Sequence, residues 1–381
     1  MLIILFVMKL PIILLSIIIT SALLHLLLIR FSQPLGLIDI PNERSMHKKA
    51  IPRGAGIAIF MSILIVQTLF NWEHLYTYFL IYLAITIVFI VGVIDDIFDS
   101  SPRLKFLFIF IAGTLLFWNG NYIGSLGNYF GYDITLPMLI AFPLTLFAIA
   151  GFTNALNLID GLDGLAASVS LIILGIFFAI GTIYNDTLII TLSSSFIASL
   201  LVFWFFNWNP ARIFMGDSGS LTLGFVIATL SILSLKYASP ASILFITVIP
   251  LLDTFIVIIR RIQRGISPFK ADKNHIHHFM YKIKGDVRIS VILIASIQAM
   301  FSMIGFQIRA ADGFLSLMLF TLLFFVFLNL FDQRIQYRKT SKSIEKFQDE
   351  EEVQEIEEEN NLINLTNTSI GTSILASQEQ E

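Results

Sequence analysis

The sequence predicts an all-α polytopic membrane protein of about eleven transmembrane helices, and three observations carry that reading. The 381 residues are 56% hydrophobic and only 13% charged, with a mean hydropathy of +0.83, more apolar surface than a soluble domain could hide. Apolar stretches near the roughly 20 residues that a crossing helix needs recur along the chain. Of 24 Lys and Arg, all but Lys9, Lys236 and Arg309 fall in alternate loops and the C-terminal segment. By the positive-inside rule the rich side is cytoplasmic, which puts the N-terminus outside and the C-terminus in the cytoplasm.

The expected spans cover about 2–29, 54–70, 75–94, 104–121, 134–152, 165–184, 187–206, 218–236, 241–260, 289–308 and 313–331. The first is too long for a signal-peptide core and has no small-residue cleavage site, so it stays as a helix. The second is short, and little more than Tyr184-Asn185-Asp186 separates the sixth from the seventh. Residues 1–335 form the membrane domain. Residues 336–381 form a charged cytoplasmic tail, and its stretch 341–381 holds 11 acidic residues with little apolar periodicity, a composition read as disordered. With no cysteine there is neither a disulfide framework nor thiolate chemistry. No internal repeat of the transporter kind is visible.

The outer loops are short and bland, whereas five inner loops hold dense polar clusters. A transporter would place polar groups near the midplane; here they line one face, which fits an enzyme working at the cytoplasmic interface on something anchored in the bilayer. In the first loop stands IDIPNERSMHKKAIPRGAG. The third span then runs into DDIFDSSPRLK, where continuation of the helix to Ser100 would set Asp95 and Asp99 on one face with Asp96 beside them, and Pro102 would start the next helix. Three clustered carboxylates repel unless a divalent cation, or Arg103 and Lys105, stands nearby; a solvated acidic helix end is the plainer alternative.

In NALNLIDGLDGLA, Asn154 and Asn157 repeat at i, i+3, and Asp160 and Asp163 repeat that spacing a turn later, with Gly161 and Gly164 admitting a close ligand. Two amides and two carboxylates could hold Mg²⁺ oxygens and read a base edge, or could be polar glue between helices. In FMGDSGSLTLG, Asp217 stands between glycines at the mouth of a helix. The free N–H groups there suit a phosphate, and an N-cap is the other reading. HIHH, at His275, His277 and His278, lies in the most basic loop. It lacks the companion ligands of a compact zinc site, so an anionic ligand is expected, against plain attraction to lipid headgroups. Asp253 lies in an apolar span and is read as an ion-pair partner or supporting group, not a catalytic one.

DDIFD, NALNLIDGLDGLA, NPARIFMGDSGS and HIHH, in this order and spacing, together with PNERSMHKKAIPRGAG, resemble the polyprenyl-phosphate N-acetylhexosamine-1-phosphate transferase superfamily over roughly residues 35–290. The span number and the HIHH form are closer to the bacterial WecA/TagO-like branch, which starts O-antigen, enterobacterial common antigen or teichoic acid intermediates. The peptidoglycan branch typically has a basic residue where this chain has Asp99.

The resemblance implies transfer of sugar 1-phosphate from a UDP-N-acetylhexosamine, by default UDP-N-acetylglucosamine, to undecaprenyl phosphate with release of UMP. The setting it implies is the bacterial inner membrane, with Mg²⁺ as cofactor and Mn²⁺ as a substitute. It assigns Asp217 and Asn157 to the metal, Asp163 and Asp160 to the uridine end or the metal shell, and Lys105 to the pyrophosphate. Asp95 and Asp96 would position the lipid phosphate or take its proton, Asp99 is a further catalytic candidate, and His275, His277 and His278 would cap the sugar phosphate. Further substrate contacts are expected from Asn154, Arg44, His47, Arg53 and Arg264. Membrane lipids are partners, nucleic acid is not, and a homodimer stays open. Two other classes remain: an intramembrane Mg²⁺-dependent prenyltransferase, and a cation-coupled transporter using Asp253.

Overall fold

A computed structural model describes residues 2–41, 50–263, 265 and 275–330. The chain is mostly helical. Helix α1 (Leu2–Phe31) leads through strands β1 (Ile38–Asp39) and β2 (Ile51–Pro52) to α2 (Ala55–Phe70), the short α3 (Trp72–Thr77), α4 (Phe79–Phe98) and α5 (Pro102–Trp118). A hairpin, β3 (Ser125–Tyr129) and β4 (Tyr132–Thr135), precedes α6 (Met138–Ile159), α7 (Leu165–Tyr184), α8 (Thr187–Asn207) and α9 (Gly216–Ser234). Then come α10 (Pro240–Ile246), α11 (Val248–Gln263), α12 (Ile276–Lys284), α13 (Val287–Gln307) and α14 (Gly313–Leu330). Residues 2–322 pack as one compact unit.

Among the described residues seven helices, α1, α4, α6, α7, α8, α9 and α13, are long and apolar enough to cross a membrane, and α10 with α11 makes an eighth if a bent pair counts as one span. The expected spans 54–70, 104–121 and 313–331 correspond to α2, α5 and α14, of 16, 17 and 18 residues. They sit at the lower limit of what a bilayer requires.

The expected continuous helix over 241–260 is broken instead. Helices α10 and α11 meet at 87°. Backbone groups freed at such a bend need partners inside a bilayer, and Gln298 of α13 supplies them. Its Oε1 accepts from the Ile249 N–H at 3.1 Å, and its Nε2 donates to the Ile246 carbonyl at 2.7 Å. The two small antiparallel pairs, β1–β2 and β3–β4, are likewise departures from an all-helical chain.

Helix α9 is the hub, buried almost all round. Three neighbours reach its backbone through glycine. A Cβ on Gly56 of α2 would lie 2.0 Å from the Gly219 nitrogen, one on Gly92 of α4 would lie 2.5 Å from Ser218 Cα, and one on Gly224 of α9 itself would lie 2.9 Å from Thr153 Cα of α6. Small residues that let helix backbones touch are a main source of packing where lipid offers no hydrophobic drive. Polar contacts reinforce the seam between α1, α2 and α8: Ser199 Oγ lies 2.9 Å from Ser21 Oγ and 3.1 Å from Ser62 Oγ, and Gln67 donates to Ser195 at 2.9 Å.

Candidate active site

The glycine crossing brings the N-terminus of α9 against the C-terminal turn of α4, and the acids meet there. Asp96 accepts from the backbone N–H of Asp217 at 2.7 Å and of Ser218 at 3.0 Å, one to each carboxylate oxygen. The N–H groups expected to be free for a phosphate at this helix mouth are therefore held by a neighbouring helix, which caps α9 in trans. Gly216 adopts φ 73°, and a Cβ there would sit 2.7 Å from the Asp96 oxygens, so the turn admits glycine alone.

Asp95 accepts from Lys105 Nζ at 2.7 Å and from Ser100 Oγ at 2.6 Å. Lys105 also pairs with Asp217, so one ammonium bridges the two carboxylates. Asn157 Nδ2 donates to the other Asp217 oxygen at 3.0 Å and to Ser220 Oγ at 2.8 Å. Asp163 accepts from Asn209 Nδ2 at 2.9 Å and from the Ala211 N–H at 3.0 Å, and so ties the NPAR segment to the DGLDG turn. The first loop is laced to the same place: the Phe214 N–H donates to the Pro52 carbonyl at 2.8 Å, and Ala55 and Gly56 donate to Phe214 and Met215 at 3.1 and 3.0 Å.

These groups line a cavity of about 1050 Å³. Asp39, Asp95, Asp96, Asp99, Asp160, Asp163 and Asp217 outnumber the cations Arg53, Lys105 and Arg212 in its walls. Burial, followed by the charges of Asp217, Asp163 and Asp96, pushes the Asp160 carboxyl up to about 7. Among the described residues no three acids or histidines gather closely enough to chelate an ion by themselves. Mg²⁺ rarely asks for that, being held by one or two protein oxygens plus waters and substrate phosphates. Asp217 with Asn157, in a wall short of positive charge, fits that mode.

Several expected residues are placed differently. Helix α4 ends at Phe98, and Asp99 takes a left-handed conformation (φ 48°) at its C-cap. Asp99 therefore leaves the face of Asp95 and pairs at the rim with Arg53 at 3.6 Å, its side chain 84% exposed. Asn154, one turn before Asn157, does not line the cavity, and neither does His275 or His277; His278 does. His277 packs on Gly161, where a Cβ would come within 2.2 Å of its Nε2. Burial pushes that imidazole down to about 3, leaving it neutral.

His275 is the N-cap residue of α12, and its Nδ1 lies 2.7 Å from Asp253 Oδ2, while Asp253 Oδ1 accepts from the Ile276 N–H at 2.6 Å. Arg44, His47 and Arg264 lie outside the described residues. Asp39, Asn209, Arg212, Ser220 and Tyr281 also line the cavity and were not singled out from the sequence. Asn209 stood within a motif already marked, and Tyr281 follows His278 by three residues, one helical turn along.

The glycosyl transferase family 4 sequence model matches residues 78–235, a stretch that includes DDIFD, NALNLIDGLDGLA and GDSGS. The chain is 35% identical over 305 residues to a probable undecaprenyl-phosphate N-acetylglucosaminyl 1-phosphate transferase of Bacillus subtilis, covering 78% of this chain and 84% of that one. It is 30% identical over 310 residues to the undecaprenyl-phosphate alpha-N-acetylglucosaminyl 1-phosphate transferase of Yersinia pestis, covering 77% and 83%. Against the protein of the same description in Escherichia coli K12 it is 30% identical over 314 residues, covering 78% and 84%. With matches of that length running through the residues that build the cavity, the chain belongs to glycosyl transferase family 4, among the polyprenyl-phosphate N-acetylhexosamine-1-phosphate transferases.

Proposed function

We propose that this protein transfers N-acetylglucosamine 1-phosphate from UDP-N-acetylglucosamine to undecaprenyl phosphate, releasing UMP and starting a cell-surface polysaccharide. The observation that carries the reading is the cluster in which Lys105 bridges Asp95 and Asp217 while Asn157 holds the other Asp217 oxygen. The described activities of the relatives agree with it, and neither the prenyltransferase nor the transporter reading has a comparable support.

The reaction forms a bond from an acceptor phosphate oxygen to the β-phosphorus of the donor and breaks the bond from that phosphorus to the UMP oxygen. Bound Mg²⁺, held by Asp217 with Asn157, would supply positive charge to the crowded phosphates. Lys105 is the ammonium best placed to turn from its carboxylates toward the pyrophosphate. A phosphate monoester, with a second pKa of about 6, already offers a free oxygen near neutral pH. Asp96 accordingly acts by fixing the start of α9, and with it the direction of Asp217. Asp163 and Asn209 shape one wall, and His278, Tyr281 and Arg53 stand where the sugar and its phosphate would lie.

The same reading places the cavity on the cytoplasmic face of the bacterial inner membrane, with eleven crossings, the N-terminus outside and the C-terminus inside, because the basic residues flank that face. The test uses purified protein with undecaprenyl phosphate and a panel of UDP-sugars, following UMP and the mass of the lipid product. UMP release with a sugar-phosphate lipid, abolished by EDTA and restored by Mg²⁺, is expected. Asp217→Asn keeps the shape and removes charge, so turnover should drop by orders of magnitude. UMP release without a new lipid product, or full activity of the Asn variant, would refute the assignment.

A further inference from the structure

A second cavity, of about 730 Å³, lies at the other end of α9. Its walls include Ile232, Leu233 and Leu235 from the end of that helix, Ser125 and Asn128 of the hairpin, and Arg309 from the turn after α13. A helix of 19 residues separates it from the Asp217 cluster by roughly 28 Å at about 1.5 Å per residue, so it is no part of the site already described. On the membrane side that is poor in cations, Lys236 and Arg309 both line this one cavity.

The two cations are not equivalent. Lys236 is neutralised by Asp186 at 2.6 Å. Arg309 has no carboxylate partner among the described residues. One of its terminal nitrogens donates to the Phe306 carbonyl at 2.7 Å, its guanidinium lies 4.5 Å over the Phe306 ring, and its buried Nε has no partner at all. The one carboxylate in the cavity wall, Asp133, accepts from Ser125 instead. A partly buried guanidinium left with unfilled donors is costly unless an anion completes it. The planar fork of an arginine matches a phosphate better than any other common anion save a carboxylate. The apolar wall from α9 suits the glycerol and upper acyl region of a lipid, and Asn128 and Ser125 suit the polar end.

We propose that this cavity binds a phosphate group presented at the membrane face opposite the catalytic cavity, with Arg309 as its principal contact. The phosphate could be that of a lipid headgroup or a free phosphate, and the site does not depend on the transferase reaction.

The chain contains no cysteine, so Asn121→Cys, in the cavity wall, can carry a single environment-sensitive fluorophore in the intact, detergent-purified protein. Short-chain phosphatidylglycerol, short-chain diacylglycerol and inorganic phosphate are titrated in turn. A saturable response to a phosphate-bearing probe is expected, with diacylglycerol at least tenfold weaker. Saturation by phosphatidylglycerol alone identifies the lipid as the source, and saturation by inorganic phosphate identifies the free ion. Arg309→Gln should weaken the response at least tenfold. Arg309→Lys, which keeps the charge and the fold but loses the fork, should fall between. A response equal for diacylglycerol, or unchanged in both Arg309 variants, would overturn the proposal, and either result can be read whether or not the protein turns over UDP-sugars.

Discussion

Both carboxylate oxygens of Asp96 accept from backbone N–H groups of α9, which holds the carboxylate against that helix and makes anchoring, rather than proton transfer, its expected role. Asp96→Asn would set an amide NH₂ against one of those N–H groups, at a cost of about 1–3 kcal/mol for a buried donor left unmet. Turnover should fall, and the ratio of variant to wild-type turnover should stay flat between about pH 6 and pH 9, a range bracketing the acceptor's second pKa. A ratio climbing about tenfold per pH unit would instead reveal a base.

Asp160 supplies a different pH dependence. Its folded pKa of about 7 stands above the ordinary 3.8, so the folded protein holds the proton more tightly than the unfolded chain. The corresponding stability is fully present below about pH 4 and is lost as pH rises through 7. In metal-free protein the unfolding temperature should therefore decline over that window, and Asp160→Asn should flatten the decline. Because a cation relieves the same repulsion, Mg²⁺ should raise the unfolding temperature more at pH 8 than at pH 5. A Mg²⁺ effect equal at both pH values would dissociate Asp160 from the metal's surroundings.

Among the elements, the crossing of α4 over α9 is the most exacting. Gly92→Ala would drive a methyl to within 2.5 Å of backbone, which no rotamer can relieve, so the helices must part. Overpacking of this kind typically costs about 1–3 kcal/mol. The expected result is a lowered unfolding temperature together with at least a tenfold loss of turnover, since Asp95 and Asp96 ride on the displaced helix. Ala at Gly151, which faces open space, should leave the fold intact; an unfolding temperature lowered as far as that of Gly92→Ala would deny the contact its importance.

The apolar runs and the acids punctuating them were readable from the sequence because hydropathy and charge are local properties. The bend of α10 against α11 left a local signal in Pro250, which has no N–H for the Ile246 carbonyl, but the partner that makes it tolerable, Gln298, lies far along the chain. The hairpin at 125–135 left only a weak trace, in the Phe130-Gly131 turn between short polar strands. The left-handed Asp99 that ends α4 early is likewise invisible to spacing arguments that assume a helix continues. For the site, the motif acids Asp95, Asp96, Asp160, Asp163 and Asp217 do line one cavity. What could not be read is the division of labour that makes Asp96 a cap and His277 a neutral packing group.

For the molecule as a whole, the decisive quantity is which way the cavity at the start of α9 faces. Exposed Arg103 lies in sequence between Asp99 and Lys105, both in the wall of that cavity, and Tyr184 lies at the other end of the bundle, where it stacks on Tyr237. Single-cysteine variants at Arg103 and Tyr184 in intact cells should react oppositely with an impermeant maleimide: Tyr184→Cys labels, and Arg103→Cys labels only after permeabilisation. Outside labelling at Arg103 would invert the orientation proposed from the basic loops.

The bonds from Asp253 to His275 and to the Ile276 N–H fix where the chain begins α12, whatever course residues 264–274 take between. The two ends of that stretch are anchored, one by α11 itself and one by this carboxylate, and closing a longer or shorter link between fixed posts changes the entropy only slowly with length. The start of α12 is thus set independently of the length of chain that precedes it, and His278 and Tyr281 keep their places in the cavity wall.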